Sequence, residues 1–153
     1  MKADLTANYP KLTLVDTVYG DGDAAISADK AAALLQSHPN LKGIVSPTTV
    51  GVAATAKYLS GSEYKGKVQV TGLGLPSEMK AYLKDGTAKT VGLWDPGMLG
   101  YLGVYAAVNA ASGNDLSAGF EAGGASYTPD GDGVVIVGPP QEFTADNVDQ
   151  FAF

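Results

Sequence analysis

Cysteine is absent from the 153-residue chain, which removes disulfides, thiolate metal sites and cysteine nucleophiles. Histidine occurs once, as His38 just before Pro39, so no Ser-His-Asp set can be assembled around it. At that place, the end of a helical run, it is expected to complement the helix dipole. Charge is sparse at 17%, with Lys and Arg totalling 10 against 16 Asp and Glu, for a net charge of −6. There is no basic run, so the footprint of a nucleic-acid binder is missing and an anionic membrane surface would repel the chain. No stretch nears the roughly 18 uninterrupted apolar residues of a membrane span. Met1 to Leu5 lacks the apolar core of a signal peptide, so no export signal is expected in this chain.

What is present is a globular composition. Hydrophobic residues make up 45% of a chain about one domain long, enough to bury a core. Two periodicities alternate along it. Leu12–Tyr19 is apolar and β-branched and stops at the turn cluster Gly20-Asp21-Gly22-Asp23. Ile26–His38 reads as a helix with Ser27 as N-cap, ended by Pro39. A short buried-type strand is expected over Leu41–Ser46, a helix over Val50–Leu59, a strand over Val68–Leu73 and a helix over Pro76–Lys84. Thr90–Trp94 reads as the next strand and Gly97–Ala111 as a longer helix closed by Gly113. This βαβα order predicts an α/β fold, a three-layer parallel sheet with helices on both faces. Beyond Gly113, Phe120–Thr128 and Val134–Val137 are expected to form a hairpin around Pro129–Gly133. Thr144 is expected to cap a last short helix ending near Phe151.

The helix Met98–Ala111 has Asn109 as its only strongly polar side chain. A helix apolar all round is normally covered on both sides. Either it lies between the sheet and the C-terminal hairpin, or one of its faces meets something outside this chain.

In open parallel sheets ligands bind beyond the carboxyl ends of the strands. Those ends are Tyr19–Asp23, Pro47–Thr49 with Thr48 between them, Gly74–Ser77 and Trp94–Pro96 with Asp95 at its centre. They supply an indole, a carboxylate, hydroxyls and glycines. An aromatic ring covers the apolar face of a pyranose and an ionised carboxylate accepts from paired hydroxyls, so the set suits a neutral sugar. Trp94 could equally be a lid over the sheet end and Asp95 a helix N-cap before Pro96, and for Asp95 both roles can coexist. Gly72-Leu73-Gly74 runs into Leu75-Pro76 and so makes no phosphate cradle. Asp21-Gly22-Asp23 and Asp130-Gly131-Asp132 lack the further ligands of a calcium loop and read as acidic turns. No metal, cofactor or catalytic residue is expected.

Thr13–Asp23 (TLVDTVYGDGD), Ile44–Ala54 (IVSPTTVGVAA), Val70–Met79 (VTGLGLPSEM) and Val91–Pro96 (VGLWDP) resemble type I periplasmic solute-binding proteins. The closest branch is the rhamnose-binding and autoinducer-2-binding group of ABC-transporter receptors, and the tail Asp130–Phe153 also fits it. The resemblance runs from Lys11 onward. It implies non-covalent capture of a sugar between two closing lobes, a periplasmic location and an ABC permease as partner of the full-length receptor. It places Pro47, Thr49, Trp94 and Asp95 at the ligand, and lets the helix within 97–113 cross into a second lobe. It also implies that residues 1–153 are one incomplete C-terminal lobe, beginning in the helix that follows an absent first strand. In a sheet of order 2-1-3-4-5 that strand is the central one. Self-association of the chain is the expected consequence. Residues alone leave other readings open: the ligand-sensing domain of a sugar-responsive transcription regulator, a flavodoxin-like or receiver-like signalling domain, or an enzyme acting on sugars.

Overall fold

The longer helical runs read from the sequence form helices, whereas the extended runs form strands only where a neighbouring strand pairs with them. The computed structural model describes residues 2–153. They divide into two units, one made of residues up to Val91 together with Phe143–Phe153, the other of Gly92–Glu142. The first unit holds α1 (Lys2–Asn8), α2 (Ala24–Ser37), β1 (Gly43–Ser46), α3 (Thr49–Ser60), β2 (Gln69–Gly72) and α4 (Pro76–Lys84). β3 (Thr90–Leu93) carries the chain into the second unit, which contains α5 (Pro96–Ala111), β4 (Phe120–Ala122) and β5 (Ala125–Tyr127). β6 (Gln141–Thr144) brings it back, pairs with β3 and leads to a 3-10 turn at Val148–Gln150. Among the described residues no helix is long and apolar enough to cross a membrane.

In the first unit β1 and β2 are parallel, in register from Gly43 opposite Gln69 to Ser46 opposite Gly72. The connection between them is the alanine-rich α3, which buries Val52, Ala56 and Leu59. It packs between α2 and α4 and touches both strands. Small residues let α3 lie close to the sheet, while Val70 on β2 and Leu35 on α2 close the core around it. Each large side chain buried there contributes at most about 1.5–3 kcal/mol. The C-terminal segment completes this unit. Phe143 is wholly buried and meets the rings of Phe151 and Phe153 edge-on at 4.8 and 6.0 Å. The Phe153 carbonyl accepts from the Ser77 amide at 3.0 Å, supplying the cap that Leu75 cannot give α4 from its side chain. Asp149 accepts from Lys80 at 2.8 Å and from Lys84 at 2.6 Å, and these two ammonium groups hold its carboxyl down at about 2. Partial burial pushes Asp85 upward, but the Lys65 ammonium 2.7 Å away and the Thr87 hydroxyl and amide outweigh it, leaving that carboxyl below its usual range.

Several expectations are corrected here. Leu12–Tyr19 is not a strand: it is exposed, and among the described residues no backbone group from Thr13 to Tyr19 forms a backbone hydrogen bond. A β-branched run has a preference for extended backbone but cannot become a strand without a neighbour to complete the ladder. The strand expected over Leu41–Ser46 is shorter, and half-exposed rather than buried, because β2 flanks only one of its edges. Asp23, not Ser27, caps α2: its Oδ1 accepts from the Ile26 amide at 2.9 Å, while the Ser27 hydroxyl donates to the Asp23 carbonyl. Asp is as good a cap as Ser, and Gly22 ahead of it has a positive φ of 74° that turns the chain into the helix. Thr144 ends β6 instead of capping a helix, and its amide donates to Asn147 Oδ1 at 2.8 Å, Asn147 being the residue before the 3-10 turn.

In the second unit the hairpin lies elsewhere than expected. β4 and β5 pair antiparallel around Gly123 and Gly124, whose φ values of 59° and 82° are those a tight hairpin requires. Pro129–Gly133 closes a local loop instead, with the Asp132 and Val134 amides both donating to Asp130 Oδ1 at 2.9 Å, and Val134–Val137 forms no strand. One side of α5 packs on the hairpin: Leu102, Ala122 and Tyr127 are buried with Met98, Tyr105 and Phe120 around them. Tyr105, Phe120 and Tyr127 stack in sequence, neighbouring ring centroids standing 5.5 Å apart. The other side of α5 is exposed. Val104 and Val108 are 66% and 59% exposed, and Gly100 opens onto empty space.

Candidate functional site

The β1–α3 connection is built from hydroxyls around a glycine. Ser46 ends β1, Pro47 and Thr48 are exposed, and Thr49 is half-buried at the first position of α3. The Thr48 hydroxyl accepts from the Gly51 amide at 3.1 Å and so caps α3. Ser46 Oγ lies 3.5 Å from it and also donates to the Thr48 carbonyl at 3.3 Å. Gly51 is buried, and a Cβ there would stand 2.5 Å from Ser46 Oγ and 2.7 Å from Thr48 Oγ1. The absence of a side chain at Gly51 lets both hydroxyls turn in against the helix start. Pro47 is exposed beside them and Thr49 half-buried.

The β3–α5 connection repeats the plan with a carboxylate. Asp95 has extended backbone, and its Oδ1 accepts from the Met98 amide at 2.9 Å, capping a helix whose first residue is Pro96. Pro96 has no amide hydrogen to satisfy, so one side-chain oxygen serves the helix end, and among the described residues Oδ2 makes no hydrogen bond. Gly97 stands close by, where a Cβ would be 3.2 Å from Oδ1. Trp94 is 43% exposed, so its indole presents an open apolar surface next to a carboxylate.

The residues named from the sequence therefore fall into two groups. Pro47, Thr48 and Thr49 lie together in the first unit, and Trp94, Asp95 and Pro96 lie together in the second. Sequence reading missed Ser46 and Gly51, which shape the first loop. Their signal was the spacing of a strand-end serine from a glycine in the first turn of a helix. It also missed Thr71, whose hydroxyl donates to the Thr90 carbonyl at 2.8 Å and ties β2 to the strand that ends at the tryptophan.

Chemically, these groups can stack on an apolar ring face and exchange hydrogen bonds with hydroxyls. His38 is the C-cap residue of α2, as its place before Pro39 implies, with Nε2 4.0 Å from Asp16 Oδ2. No group of three or more His, Asp or Glu able to hold a metal ion occurs among the described residues. A separate groove of about 630 Å³ lies in the second unit, lined by Leu99, Leu102, Ala106, Phe120, Val135 and Val137 among others, and none of the named site residues borders it. Its walls are mainly apolar and offer little to a polyhydroxylated ligand.

Comparison with known proteins gives this geometry a context. The model of a family described as periplasmic binding protein domain matches residues 1–115. A sugar ABC transporter structure from Actinomyces odontolyticus is 48% identical, with a TM-score of 0.86, over 100% of this chain and 51% of that one. An ABC transporter solute-binding protein from Clostridium phytofermentas, solved with bound L-rhamnose, is 35% identical with a TM-score of 0.88, over 99% of this chain and 52% of that one. LsrB from Clostridium saccharobutylicum, solved in complex with AI-2, is 26% identical with a TM-score of 0.84, over 99% and 53% of the respective chains. The chain thus spans about half the length of these relatives.

Proposed function

Because the chain belongs to the periplasmic binding protein domain family and has the type I fold, we propose that it is the sugar-capturing portion of a periplasmic receptor serving an ABC importer. The family is one of solute-binding proteins, and the work assigned to this chain is non-covalent capture rather than catalysis. The observation that carries the reading is the exposed Trp94 beside an Asp95 carboxylate with one oxygen uncommitted, at the end of a strand. Trp94 is the platform for the apolar face of a sugar ring. Asp95 Oδ2 accepts from ring hydroxyls while Oδ1 holds the helix. In the β1–α3 loop, Pro47 and Thr49 are proposed as ligand contacts, with the Thr48 hydroxyl committed to the cap of α3. Charge-assisted hydrogen bonds of this kind contribute about 1.5–3 kcal/mol each.

The ligand proposed is a rhamnose-type sugar. The L-rhamnose complex of the 35% identical relative supports it, and that relative matches 99% of this chain. The AI-2 complex of the 26% identical relative supports a second ligand class. The separate unit Gly92–Glu142, with α5 wholly inside it, supports the reading that residues 97–113 belong against a second lobe of a longer receptor, the form in which an ABC permease would be its partner. On its own, the chain is proposed to self-associate.

Isothermal titration calorimetry with L-rhamnose, D-arabinose and AI-2 tests the reading. Saturable binding of L-rhamnose that is lost in Trp94→Ala and Asp95→Asn supports it. Binding that survives both substitutions, or no binding of any of the three, overturns the assignment of this site.

A further inference from the structure

Glycine follows aspartate at Asp21, Asp85, Asp130 and Asp132, and follows no asparagine. An Asp-Gly step carries a latent reaction of its own. The glycine amide nitrogen can attack the aspartate Cγ, since no side chain on the glycine shields it. The amide proton and the carboxyl hydroxyl leave together as water, and a five-membered imide closes. Water then reopens the imide. Attack at Cγ restores aspartate, whereas attack at the α-carbonyl leaves isoaspartate, whose main chain runs through Cγ and is one methylene longer. All four steps are exposed, so exposure does not separate them. Hydrogen bonding does. Asp85 is held at Oδ1 by the Thr87 amide at 2.9 Å and at Oδ2 by the Lys65 ammonium at 2.7 Å, and the Gly86 amide donates to the Leu83 carbonyl. Asp130 Oδ1 accepts from the Asp132 and Val134 amides, both at 2.9 Å. At Asp132 it is the attacking group that is committed, the Gly133 amide donating to the Asp130 carbonyl at 3.0 Å. At Asp21, among the described residues, neither the carboxyl nor the Gly22 amide makes a hydrogen bond.

We propose that Asp21 is a modification site, converting to isoaspartate in the folded chain ahead of the other three steps, and that the conversion uncaps α2. Ring closure at Asp21 breaks no hydrogen bond of either reacting group, whereas each other step must first give up at least one. Backbone conformation adds to the difference. Among the described residues Asp21 is the one non-glycine with a positive φ, 50°, a region that side-chain-bearing residues seldom occupy. The uncapping follows from the turn. The Asp23 amide donates to the Gly20 carbonyl at 2.8 Å across Asp21 and Gly22, and this bond sets Asp23 where its Oδ1 caps α2 through the Ile26 amide. Gly20 lies against Ser27 too closely to admit a side chain, so an added methylene has to be taken up on the Asp23 side of the turn. The inference is independent of sugar binding, in which this turn has no assigned part.

The test is to age the full chain in neutral buffer, folded and in urea, beside Asp21→Glu, whose longer side chain would have to close a less favourable six-membered imide. Electron-transfer mass spectrometry of its peptides locates isoaspartate and gives the rate at each step. The expected result in the folded chain is isoaspartate at Asp21 about tenfold faster than at Asp85, Asp130 or Asp132; a tenfold ratio corresponds to about 1.4 kcal/mol of barrier. In urea, where the hydrogen bonds are gone, the four rates should come together. Hydrogen exchange at the Ile26 amide should quicken about tenfold in the aged wild type and stay unchanged in aged Asp21→Glu. Should Asp21→Glu not fold, fresh and aged wild type supply the comparison. If Asp21 reacts no faster than another step, or leads by the same factor in urea, the assignment of the site is overturned. Isoaspartate at Asp21 with Ile26 exchange unchanged overturns the uncapping.

Discussion

The carbonyl oxygen of Ser46 accepts from the Leu73 amide at 3.0 Å, and the same carbonyl occupies the space that a side chain on Gly72 would need. Gly72 sits opposite Ser46 at the end of the β1–β2 ladder with a φ of 146°, a conformation that side-chain-bearing residues avoid. Two strand ends are thereby drawn together at the point where the Pro47–Thr49 loop begins. Gly72→Ala is expected to destabilise the chain by about 3 kcal/mol or more, since backbone strain and loss of the terminal ladder bond act together. A urea melt followed by far-UV circular dichroism measures it; a shift under about 1 kcal/mol would mean that the ladder end yields easily.

The two oxygens of Asp95 can be told apart by two substitutions. Asp95→Asn keeps an oxygen for the Met98 amide, so its thermal midpoint should stay near wild type while L-rhamnose affinity falls by about tenfold or more. Asp95→Ala should lose affinity as well and, in addition, about 1 kcal/mol of stability through the missing cap. Calorimetric titration and thermal melts read the two effects separately. Equal stability loss in both variants would contradict the division of labour.

Phe143 anchors the C-terminal segment, wholly buried against Phe151 and Phe153. Phe143→Ala should cost about 3–5 kcal/mol and release the contacts of that segment with α4. Hydrogen exchange at the Ser77 amide, which donates to the Phe153 carbonyl, is the local readout. Continued protection there with Phe143 truncated would show that the ion pairs at Asp149 suffice to hold the segment.

Asp149 makes stability depend on acid. Lys80 and Lys84 lower its folded-state value from 3.8 to about 2, so the folded chain resists protonation of this carboxyl more than the unfolded chain does. Its contribution is therefore fully present above pH 3.8 and lost as the pH falls from there through about 2. Asp149→Asn should flatten the pH dependence of the unfolding midpoint in that window and leave its slope above pH 5 unchanged. Parallel wild-type and variant curves throughout would remove the ion pairs from the account.

Much of this protein is determined by the sequence alone, because local chemistry suffices for it. The α4 boundaries follow from Pro76 at the first turn and Gly86 past the end, and Asp95 before Pro96 announces both a helix start and a carboxylate at a strand end. Alternation of helical and extended runs was enough for the fold class, and the four segments TLVDTVYGDGD, IVSPTTVGVAA, VTGLGLPSEM and VGLWDP, in that order, were enough to name the family. Tertiary structure decided what depends on partners distant in sequence. Leu12–Tyr19 has every local mark of a strand and forms none, since a strand exists only when another chain segment completes its ladder. The hairpin closes at Gly123-Gly124 rather than Pro129–Gly133, because Tyr105, Phe120 and Tyr127 stack when the turn is placed there. Gly51 looks like an ordinary helix residue until Ser46 and Thr48 are seen to fill the place its side chain would take. Propensity is a property of neighbours along the chain, whereas pairing, stacking and close approach are properties of neighbours in space.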